Sequence, residues 1–440
     1  IPITDGQRVI MYLPLTRIKH ADGTVTDELT LTPAQGAELA EKLSQAGQST
    51  LQIVLPHGQV QISQVRITLS QEALQALGEV QVNVQLVTSK GSLFIPYEQL
   101  TGLNEDLTIR IIPLKDGQAK LETSERARQS TLLQQLASGL SVELVGEPVI
   151  IESNLQNRPV TVTLPLNFSA SGNEGETDWL KDLLIYIRHS NDQEELVAPE
   201  VIEQGEGKAG LQFEVEHFST FAILHVEGWR EGAHHASYIK GFADGSFKPE
   251  QPVTRAQMAA MLARLLGYDE GQWASSSPFA DVPAEHWAAG AIALVKAHGL
   301  MVGNQEGKFR PEAPITRAEM AVIAARYKRL PLPTLQESAA AFTDTKGHWA
   351  IREIAAIKTA GIVDGYADGT FRPNAMLKRA QAVKILNRLL GRGPLYNVPA
   401  PTFRDVPEDH WAFPEIEEAA RTHRYLPQSN GGERYEGSGM

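Results

Sequence analysis

Three kinds of residue recur at an interval of 62 positions in the second half of this 440-residue chain. The arginines are Arg255, Arg317 and Arg379, the phenylalanines are Phe247, Phe309 and Phe371, and the tryptophans are Trp287, Trp349 and Trp411. A fixed period of this length is typical of supersecondary units that bury their apolar faces against one another. The sequence therefore predicts an array of three repeats.

Each repeat reads as a helix, a loop and a second helix. The first helix is predicted to open at a Phe-x-Asp motif, whose aspartates are Asp281, Asp344 and Asp405, and to carry His-Trp-Ala. The loop begins at a glycine, which is Gly241, Gly303 or Gly365. The second helix opens at Thr-Arg-Ala-Gln/Glu, where the threonine and the Gln/Glu form a capping box. Lys378 replaces the threonine in the third repeat.

The two ends of the array suggest that it is closed. No opening helix precedes His234, whereas a surplus one is predicted at Phe403–Arg424. We expect this last helix to pack beside the first loop, which would make an all-α, pseudo-threefold arrangement instead of an open solenoid. The expected boundaries are 234–277, 278–340 and 341–395 for the three units, with 401–425 completing the first.

These motifs resemble the S-layer homology domain, and the three units together resemble its usual triple array. The resemblance implies a three-pronged helical spindle that anchors bacterial surface proteins non-covalently to secondary cell-wall polysaccharides, which are often pyruvylated. It implies a ligand site that uses the three arginines, the three loop glycines, the three aspartates and the three tryptophans named above. It also implies an extracellular location at the cell wall or surface layer, where neighbouring surface-layer proteins are further expected partners.

The residues themselves leave alternatives open at each position. Each arginine stands at the first position of a helix, where free N–H groups favour an anion such as a pyruvyl carboxylate, but a surface salt bridge is the simpler reading. The tryptophans suit either the core or a groove wall that stacks on a sugar. The aspartates read most simply as helix caps, with hydroxyl binding as a second role. The first repeat is expected to hold the best site, because Asn304 removes an aromatic wall from the second and Lys378 removes the cap from the third.

Charge is distributed unevenly along the chain. Residues 1–229 contain 15 Lys or Arg and 30 Asp or Glu, whereas residues 230–425 contain 24 and 21. The repeats are therefore the part suited to an acidic polymer. No basic stripe with interleaved aromatic residues favours nucleic acid. The sequence has no apolar run of ~20 residues that would span a membrane and no signal peptide, and we expect Ile1 to follow further residues in a longer precursor.

No metal or cofactor is expected. The chain has no cysteine, which excludes thiolate sites and disulfides. The loop from Asp364 resembles the start of a calcium loop, but its twelfth position is Ala375 instead of glutamate. Zinc at His234 and His235 is rejected because no companion ligands stand at metal spacing.

Residues 1–228 alternate short β-type runs with turns, which predicts an α+β or mainly-β region, with a possible subdomain boundary at about 112–147. Nothing in this region supports a polysaccharide-degrading enzyme, and no multiple-turnover activity is expected. The region reads most simply as a spacer or presentation domain.

His217-Phe218-Ser219 is the one chemically suggestive stretch of the first half. Strand alternation places His217 and Ser219 on the same face, so that His217 is a candidate base for attack of Ser219 on the Phe218 carbonyl by an N→O acyl shift. The tripeptide resembles the cleavage site of self-cleaving GAIN and ZU5 domains, which implies one turnover and no more. The alternative is a strand in which a His–Ser hydrogen bond serves packing alone.

Overall fold

The computed structural model describes residues 1–6, 8–55, 62–137, 139–169, 179–203, 208–268 and 279–438. It divides the chain into two compact units, Ile1–Gly232 and Ala233–Met440. The expected boundary between the first two repeats, at 277 and 278, lies outside the described residues.

The first unit contains sixteen described strands. They are β1 Pro2–Thr4, β2 Val9–Tyr12, β3 Thr16–Lys19, β4 Val25–Leu31, β5 Thr50–Val54, β6 Gln64–Leu69, β7 Asn83–Thr88, β8 Gly91–Ile95, β9 Leu107–Pro113, β10 Val142–Ser153, β11 Val160–Ser169, β12 Leu183–Arg188, β13 Glu194–Val197, β14 Glu200–Glu203, β15 Lys208–Val215 and β16 Thr220–Val226. One sheet has the order β14-β15-β11-β8-β7-β5-β1-β2, and the other has the order β13-β12-β16-β10-β9-β6-β4-β3.

Most strand pairs are antiparallel, and one large core cluster contains residues of both sheets. Two parallel pairs, β4 with β6 and β5 with β7, each enclose a connecting helix. Strand β7 alternates buried and half-buried residues, as expected for one face against the core. One core cluster takes residues from both sheets and from the helices Pro33–Ala46 and Gln71–Glu79. The mainly-β prediction for this region is confirmed.

The possible subdomain boundary at 112–147 stays a prediction, and it falls between two strands of one sheet. Strands β9 and β10, which lie on either side of that boundary, pair with each other in one sheet. Their residues Ile109 and Ile151 belong to the same core. The segment between the two strands forms two helices on the outside of the fold. The helices of this unit are Pro33–Ala46, Gln71–Glu79, Tyr97–Leu100, Gly117–Gln129, Thr131–Ala137 and Trp229–Gly232.

The second unit is mainly helical. Its helices are Arg255–Leu265, Ala289–Ala297, Arg317–Tyr327, Leu335–Ser338, Ile351–Thr359, Arg379–Leu390 and Phe413–Ala420. It also contains a small sheet of β17 His234–His235, β18 Leu395–Tyr396, β19 His423–Pro427 and β20 Glu433–Ser438, in the order β17-β19-β20-β18. The prediction of an all-α array was wrong in this respect, because Phe403–Arg424 ends as a strand and pairs with the start of the unit.

The arginine-bearing helices begin where the capping motifs predict. Thr254 and Gln257 form a capping box on the first, and Thr316 and Glu319 form one on the second. The side chain of Lys378 makes no capping hydrogen bond on the third. The Phe-x-Asp motifs, in contrast, do not start helices. Phe279 and Asp281 lie in a turn, and the helix that follows them begins only at Ala289.

Backbone hydrogen bonds join the three repeats into a ring. The N–H of Val253 donates to the carbonyl of Leu377, that of Leu377 to Ile315, and that of Ile315 to Val253, each at 2.9 Å. All three side chains are fully buried. Three strand-like segments that satisfy one another in a cycle leave no open repeat edge at this point. Among the described residues, no helix is long and apolar enough to cross a membrane.

Candidate functional site

Each of the three arginines reaches into the loop of a neighbouring repeat. The Nε of Arg255 donates to the carbonyl of Phe309, that of Arg317 to Phe371 and that of Arg379 to Phe247, each at 2.7 Å. Each guanidinium also lies over the ring of the same phenylalanine, at 4.6–4.7 Å from its centroid. Each arginine therefore contacts the loop of the next repeat around the ring, and the arginine of the third repeat contacts the loop of the first.

The N–H groups at the start of these helices do not face solvent, contrary to the sequence-based expectation. The N–H of Arg255 donates to the carbonyl of Ala313, and that of Ala256 to Pro311. The Gln257 N–H is taken by the capping oxygen of Thr254. The other two helices repeat the backbone contacts between repeats. The N–H groups at the starts of these helices therefore join neighbouring repeats and are not free to bind an anion. In each groove, the guanidinium is a group that can bind an anion.

The three aspartates hold loops instead of capping helices. Both carboxylate oxygens of Asp281 accept backbone N–H groups, from Phe309 at 2.8 Å and Arg310 at 2.7 Å. Asp344 and Asp405 do the same for the third and first loops. Burial opposes ionisation of Asp281, but the two N–H donors outweigh it and hold its pKa below the usual value.

The residue that follows each loop phenylalanine adopts a left-handed backbone conformation. Its φ is 58° at Lys248, 60° at Arg310 and 58° at Arg372. The aspartates bind the N–H groups of these same residues. A non-glycine residue with positive φ is uncommon, and here the carboxylate contact fixes it in all three loops.

The loop glycines are required by close packing. A Cβ at Gly241 would lie 2.4 Å from Phe403, one at Gly303 would lie 2.6 Å from Phe279, and one at Gly365 would lie 2.3 Å from Phe342. The phenylalanine of each Phe-x-Asp motif thus lies directly against a loop glycine. This contact explains why both motifs recur with one period.

The tryptophans are groove walls and not core residues. Trp287, Trp349 and Trp411 are 50%, 66% and 54% exposed. The histidines before them were missed by the sequence analysis. His286, His348 and His410 each accept the backbone N–H two residues ahead, at 3.1–3.2 Å, and so cap helices that lack a side-chain N-cap. Their recurrence beside each tryptophan was the available signal.

Three grooves result, and each is named here by its arginine. The Arg255 groove is lined by Gly303, Asn304, Glu319 and Trp349 and has a volume of about 520 Å³. The Arg317 groove is lined by Gly365, Tyr366, Gln381 and Trp411, with about 310 Å³. The Arg379 groove is lined by Gly241, Phe242, Gln257 and Trp287, with about 160 Å³.

The first repeat does not hold a groove of its own, so the residues of the site expected to be best are divided between two grooves. Its arginine lies with the second loop, where Asn304 replaces the aromatic residue. Its aromatic loop residue, Phe242, lies with Arg379. The aromatic Tyr366 of the third loop lies with Arg317. In the sequence, each arginine stands near the loop of its own repeat. In the fold, it shares a groove with the loop of the next repeat.

The three arginines differ in how many donors they have left. All three nitrogens of Arg255 are engaged, and its Nη1 lies 3.1 Å from the Glu319 carboxylate. Arg379 uses Nε and Nη2 on the carbonyls of Phe247 and Lys240. Within the described part of the chain, Arg317 makes a hydrogen bond only through Nε. Burial lowers the pKa of each arginine, and that of Arg379 falls to about 10, so all remain cationic at neutral pH.

The equivalent carboxylate is missing from the other two grooves. Gln257 and Gln381 stand where the Arg255 groove has Glu319. Further cations line all three grooves, and they are Lys384 and Arg388 in the Arg317 groove, Lys308, Arg310 and Arg326 in the Arg255 groove, and Lys240 and Arg264 in the Arg379 groove. The Arg317 groove is therefore distinguished by the unused donors of its guanidinium and not by its total charge.

In the first unit, His217 is not the partner of Ser219. Both residues lie in the turn between β15 and β16, so the predicted alternation ends at Val215. His217 is exposed and contacts Gln156. The hydroxyl of Ser219, which is buried, lies 2.7 Å from Nδ1 of His189. His189 was not singled out in the sequence.

The reason given for rejecting zinc at His235 was also wrong. The fold brings Glu418, His423 and Glu433 to this histidine, from positions nearly 200 residues later in the chain. Spacing along the sequence could not reveal a group assembled by β17, β19, β20 and one helix.

Comparison with known proteins identifies the class of module. Three segments of the second unit, residues 232–259, 278–321 and 341–383, match the S-layer homology domain. Each segment contains one of the groove arginines and ends within the helix that begins at that arginine. The chain thus carries a triple S-layer homology array, as the resemblance of its motifs indicated.

Curated relatives share this part of the chain. It is similar to the cellulosome-anchoring protein of Acetivibrio thermocellus, with 41% identity over 204 residues, which cover 45% of each chain. It is also 41% identical to cell surface glycoprotein 1 of that organism, over a match that covers 44% of this chain and 9% of the relative. An S-layer protein of Bacillus thuringiensis subsp. finitimus is 32% identical over 31% of this chain and 17% of its own. The chain spans less than half the length of these relatives, and the matches place it at the cell surface and cell wall.

Proposed function

We propose that the S-layer homology array anchors this protein non-covalently to an anionic, pyruvylated secondary cell-wall polysaccharide, which it binds in the three grooves. The observation that carries the proposal is that one largely buried guanidinium and one exposed tryptophan line each groove. A sugar that bears a carboxylate can contact both side chains, because its carboxylate pairs with the arginine and its ring stacks on the indole of the tryptophan. The names of the relatives, an anchoring protein and a surface-layer protein, support the same role.

The repeats are assigned to 234–277, 278–340 and 341–395, with 401–425 completing the first. This assignment rests on Asp405 and Phe403, which contact the first loop as Asp281 and Phe279 contact the second. The twelve proposed ligand residues then divide into two classes. The arginines and tryptophans face the ligand, whereas the aspartates and loop glycines fix the loops that position them.

The Arg317 groove is the principal anion site in this proposal. Its guanidinium keeps the most unused donors, and no carboxylate stands where Glu319 pairs with Arg255. A pyruvyl carboxylate entering the Arg255 groove would have to displace Glu319 or lie beside it, at a cost in like-charge repulsion. The Arg379 groove is expected to be intermediate.

Calorimetric titration of the full chain with purified wall polymer tests this assignment. Polymer stripped of pyruvate serves as the second titrant. Arg317→Gln should weaken binding of the pyruvylated polymer roughly 10-fold to 100-fold, as for loss of a charge-assisted hydrogen bond. Arg255→Gln is the matched control and should have a much smaller effect.

Two outcomes would contradict the proposal. Equal binding of both polymers would mean that the pyruvyl group is not recognised, and equal effects of the two arginine variants would mean that free donors do not rank the grooves. Gln381→Glu provides a further check. It introduces the carboxylate of the Arg255 groove into the Arg317 groove and should reproduce most of the loss caused by Arg317→Gln.

The first unit is proposed to be the part that the array displays. Its excess of acidic residues would be repelled by an anionic polymer, so it gains nothing from lying against the wall. A spacer or presentation role, next to neighbouring surface-layer proteins, is consistent with this charge.

Self-cleavage between Phe218 and Ser219 is the second candidate function, and the contact of Ser219 with His189 favours it. In this reaction Nδ1 of His189 accepts the hydroxyl proton while Oγ of Ser219 attacks the Phe218 carbonyl carbon. The peptide C–N bond breaks, the nitrogen of Ser219 takes up a proton, and water then hydrolyses the ester. Nε2 of His189 lies 3.7 Å from Glu195, which would stabilise the imidazolium.

Denaturing gel electrophoresis distinguishes this activity from a structural hydrogen bond. Cleavage predicts two fragments of nearly equal size, which Ser219→Ala and His189→Gln should both abolish. His217→Gln is the control and should leave the fragments unchanged. A single full-length band in the wild-type protein would exclude the reaction.

A further inference from the structure

Two histidines and two glutamates converge in the interior of the second unit, away from the grooves. His235 lies on β17, His423 on β19 and Glu433 on β20, and Glu418 projects from the helix Phe413–Ala420. One ligand atom of each residue lies within 4.8 Å of those of the other three. The side chains of Glu418 and His423 are completely buried, and those of Glu433 and His235 are 6% and 15% exposed.

Three buried polar atoms in this cluster are without a hydrogen bond, and they are Oε2 of Glu418, Nε2 of His423 and Oε2 of Glu433. Each lies near another member of the cluster: the first two are 2.9 Å apart, and the third is 3.2 Å from Nδ1 of His235. Leaving such atoms unsatisfied costs about 1–3 kcal/mol each, and more when they are charged. Their grouping in one buried place requires either protons shared among them or a cation bound between them.

The hydrogen bonds around the cluster leave the inward-facing atoms free to coordinate. Nδ1 of His423 lies 3.0 Å from the carbonyl of Arg421, and because a carbonyl only accepts, this nitrogen carries the proton. Nε2 of a neutral His423 then presents a lone pair to Oε2 of Glu418, which is 2.9 Å away. The second oxygen of Glu433 accepts the N–H of Gly393 at 2.8 Å. Outer hydrogen bonds of this kind orient the ligands of metal sites.

We propose that His235, Glu418, His423 and Glu433 form a structural zinc site. Two imidazoles and two carboxylates are donors that suit Zn²⁺, and four protein ligands in a closed interior are typical of structural sites. Ligand atoms around a tetrahedral zinc are about 3.3 Å apart, given bond lengths of about 2.0 Å. The distance from His235 Nδ1 to Oε2 of Glu433, 3.2 Å, and that from His423 Nε2 to Oε2 of Glu418, 2.9 Å, lie near this value.

The charge of the cluster suits a dication when both imidazoles are neutral. Two carboxylates and two neutral imidazoles carry a charge of −2, which Zn²⁺ neutralises. Among the described residues, Arg392 is a nearby fixed cation, 3.8 Å from Glu418, and it contacts only that member of the cluster. The alternative is an ion-pair network in which both histidines are protonated, and the experiment separates the two.

Zinc in this position would join the two ends of the array. It connects β17, at the start of the unit, to the final hairpin and to the helix that follows Trp411. The site does not depend on the proposed polymer binding, because none of its four residues lines a groove.

Metal analysis and calorimetry of the full chain, without a histidine tag, test the proposal. The protein should contain one equivalent of zinc by mass spectrometry, lose it to a chelator and regain it on titration. At a free zinc concentration of about 100 times the Kd, the Tm of the second unit should rise by roughly 5–10 °C over the chelated protein.

Two variants and one matched control locate the metal. His423→Gln and Glu418→Gln should abolish both the bound zinc and its effect on Tm. Glu417→Gln is the control, because this neighbouring buried glutamate binds Thr402 and Arg421 outside the cluster, and it should keep the full response.

The wild-type protein alone decides the question if these variants fail to fold. Substitution of Co²⁺ should give the intense visible absorption of a tetrahedral site. A wild-type chain whose Tm responds neither to zinc nor to the chelator would overturn the proposal. Zinc responses of equal size in His423→Gln and Glu417→Gln would do the same, because they would place the metal elsewhere.

Discussion

Each groove arginine is positioned before a ligand arrives. Its Nε is held by a loop carbonyl at 2.7 Å, and its guanidinium plane rests on a phenylalanine ring. Little side-chain freedom then remains to be lost on binding, which favours affinity. The carbonyl belongs to another repeat, so the position of the arginine depends on the closure of the ring.

Gly303 illustrates at residue scale how tightly the loops are packed. Gly303→Ala should destabilise the second unit by about 1–3 kcal/mol, because its Cβ would enter the space of the Phe279 ring and lie 3.0 Å from a backbone oxygen. Denaturant unfolding measures the loss. Gly117→Ala is the control, since a Cβ at that position would meet nothing within 4 Å, and it should not destabilise the first unit. Equal losses would mean that packing is not the cause.

The loop aspartates predict an acid-sensitive array. Because the folded pKa of Asp281 and of Asp405 is below the ordinary value of 3.8, their contribution is fully present above that value and is lost as the pH falls from there through the lower folded pKa. Unfolding free energy measured between about pH 5 and pH 3 should therefore fall less steeply in Asp281→Asn than in the wild type. Parallel curves for the two proteins would contradict this assignment.

The sequence revealed most of the groove residues but few of their roles. Recurrence at intervals of 61–63 residues marked the arginines, tryptophans, aspartates and glycines, because each makes an equivalent contact in every repeat. It could not show that Asp281 binds two loop N–H groups, since an aspartate near a helix start is usually a cap. Nor could it pair Ser219 with His189, because that contact depends on how two strands of one sheet are joined.

At the scale of elements, the three arginine-bearing helices differ in their first turn. Thr254 and Thr316 each accept the N–H three residues ahead, whereas Lys378 has no oxygen to offer. The starts of these three helices were predictable because capping is local and the capping residues stand close together in the sequence. The final hairpin was not predicted, because its strands are short and are stabilised by pairing with distant segments.

Restoring the missing cap should stabilise the array. Lys378→Thr is expected to raise the unfolding free energy by about 1 kcal/mol, the usual value of a threonine N-cap. The exposed ion pair of Lys378 with Glu250 is lost, but such pairs contribute little. The midpoint of urea unfolding measures the gain. Thr316→Ala should produce a loss of similar size, and an unchanged midpoint in Lys378→Thr would mean that the third helix is held by other contacts.

At the scale of the whole molecule, the chain consists of two units with different kinds of core. The first is stabilised by two large sheets around one core, and the second by repeats around another. The division near residue 230 was visible in the change from β-type runs to the repeat period. The pairing of β9 with β10 was not, because nothing in the sequence indicates that these strands pair across the two helices that separate them.

Ring closure predicts that the second unit unfolds as one body. An open array of repeats unfolds in steps from its ends, whereas a closed ring has no terminal repeat to lose first. Ile315→Ala should lower the unfolding free energy by about 2–5 kcal/mol, because Ile315 is fully buried beside Val253 and Leu377 of the other two repeats. Scanning calorimetry should then show one transition for this unit, displaced as a whole to lower temperature. If the transition of the second unit instead divides into two, the repeats are energetically separate, and each groove would survive the loss of its neighbours.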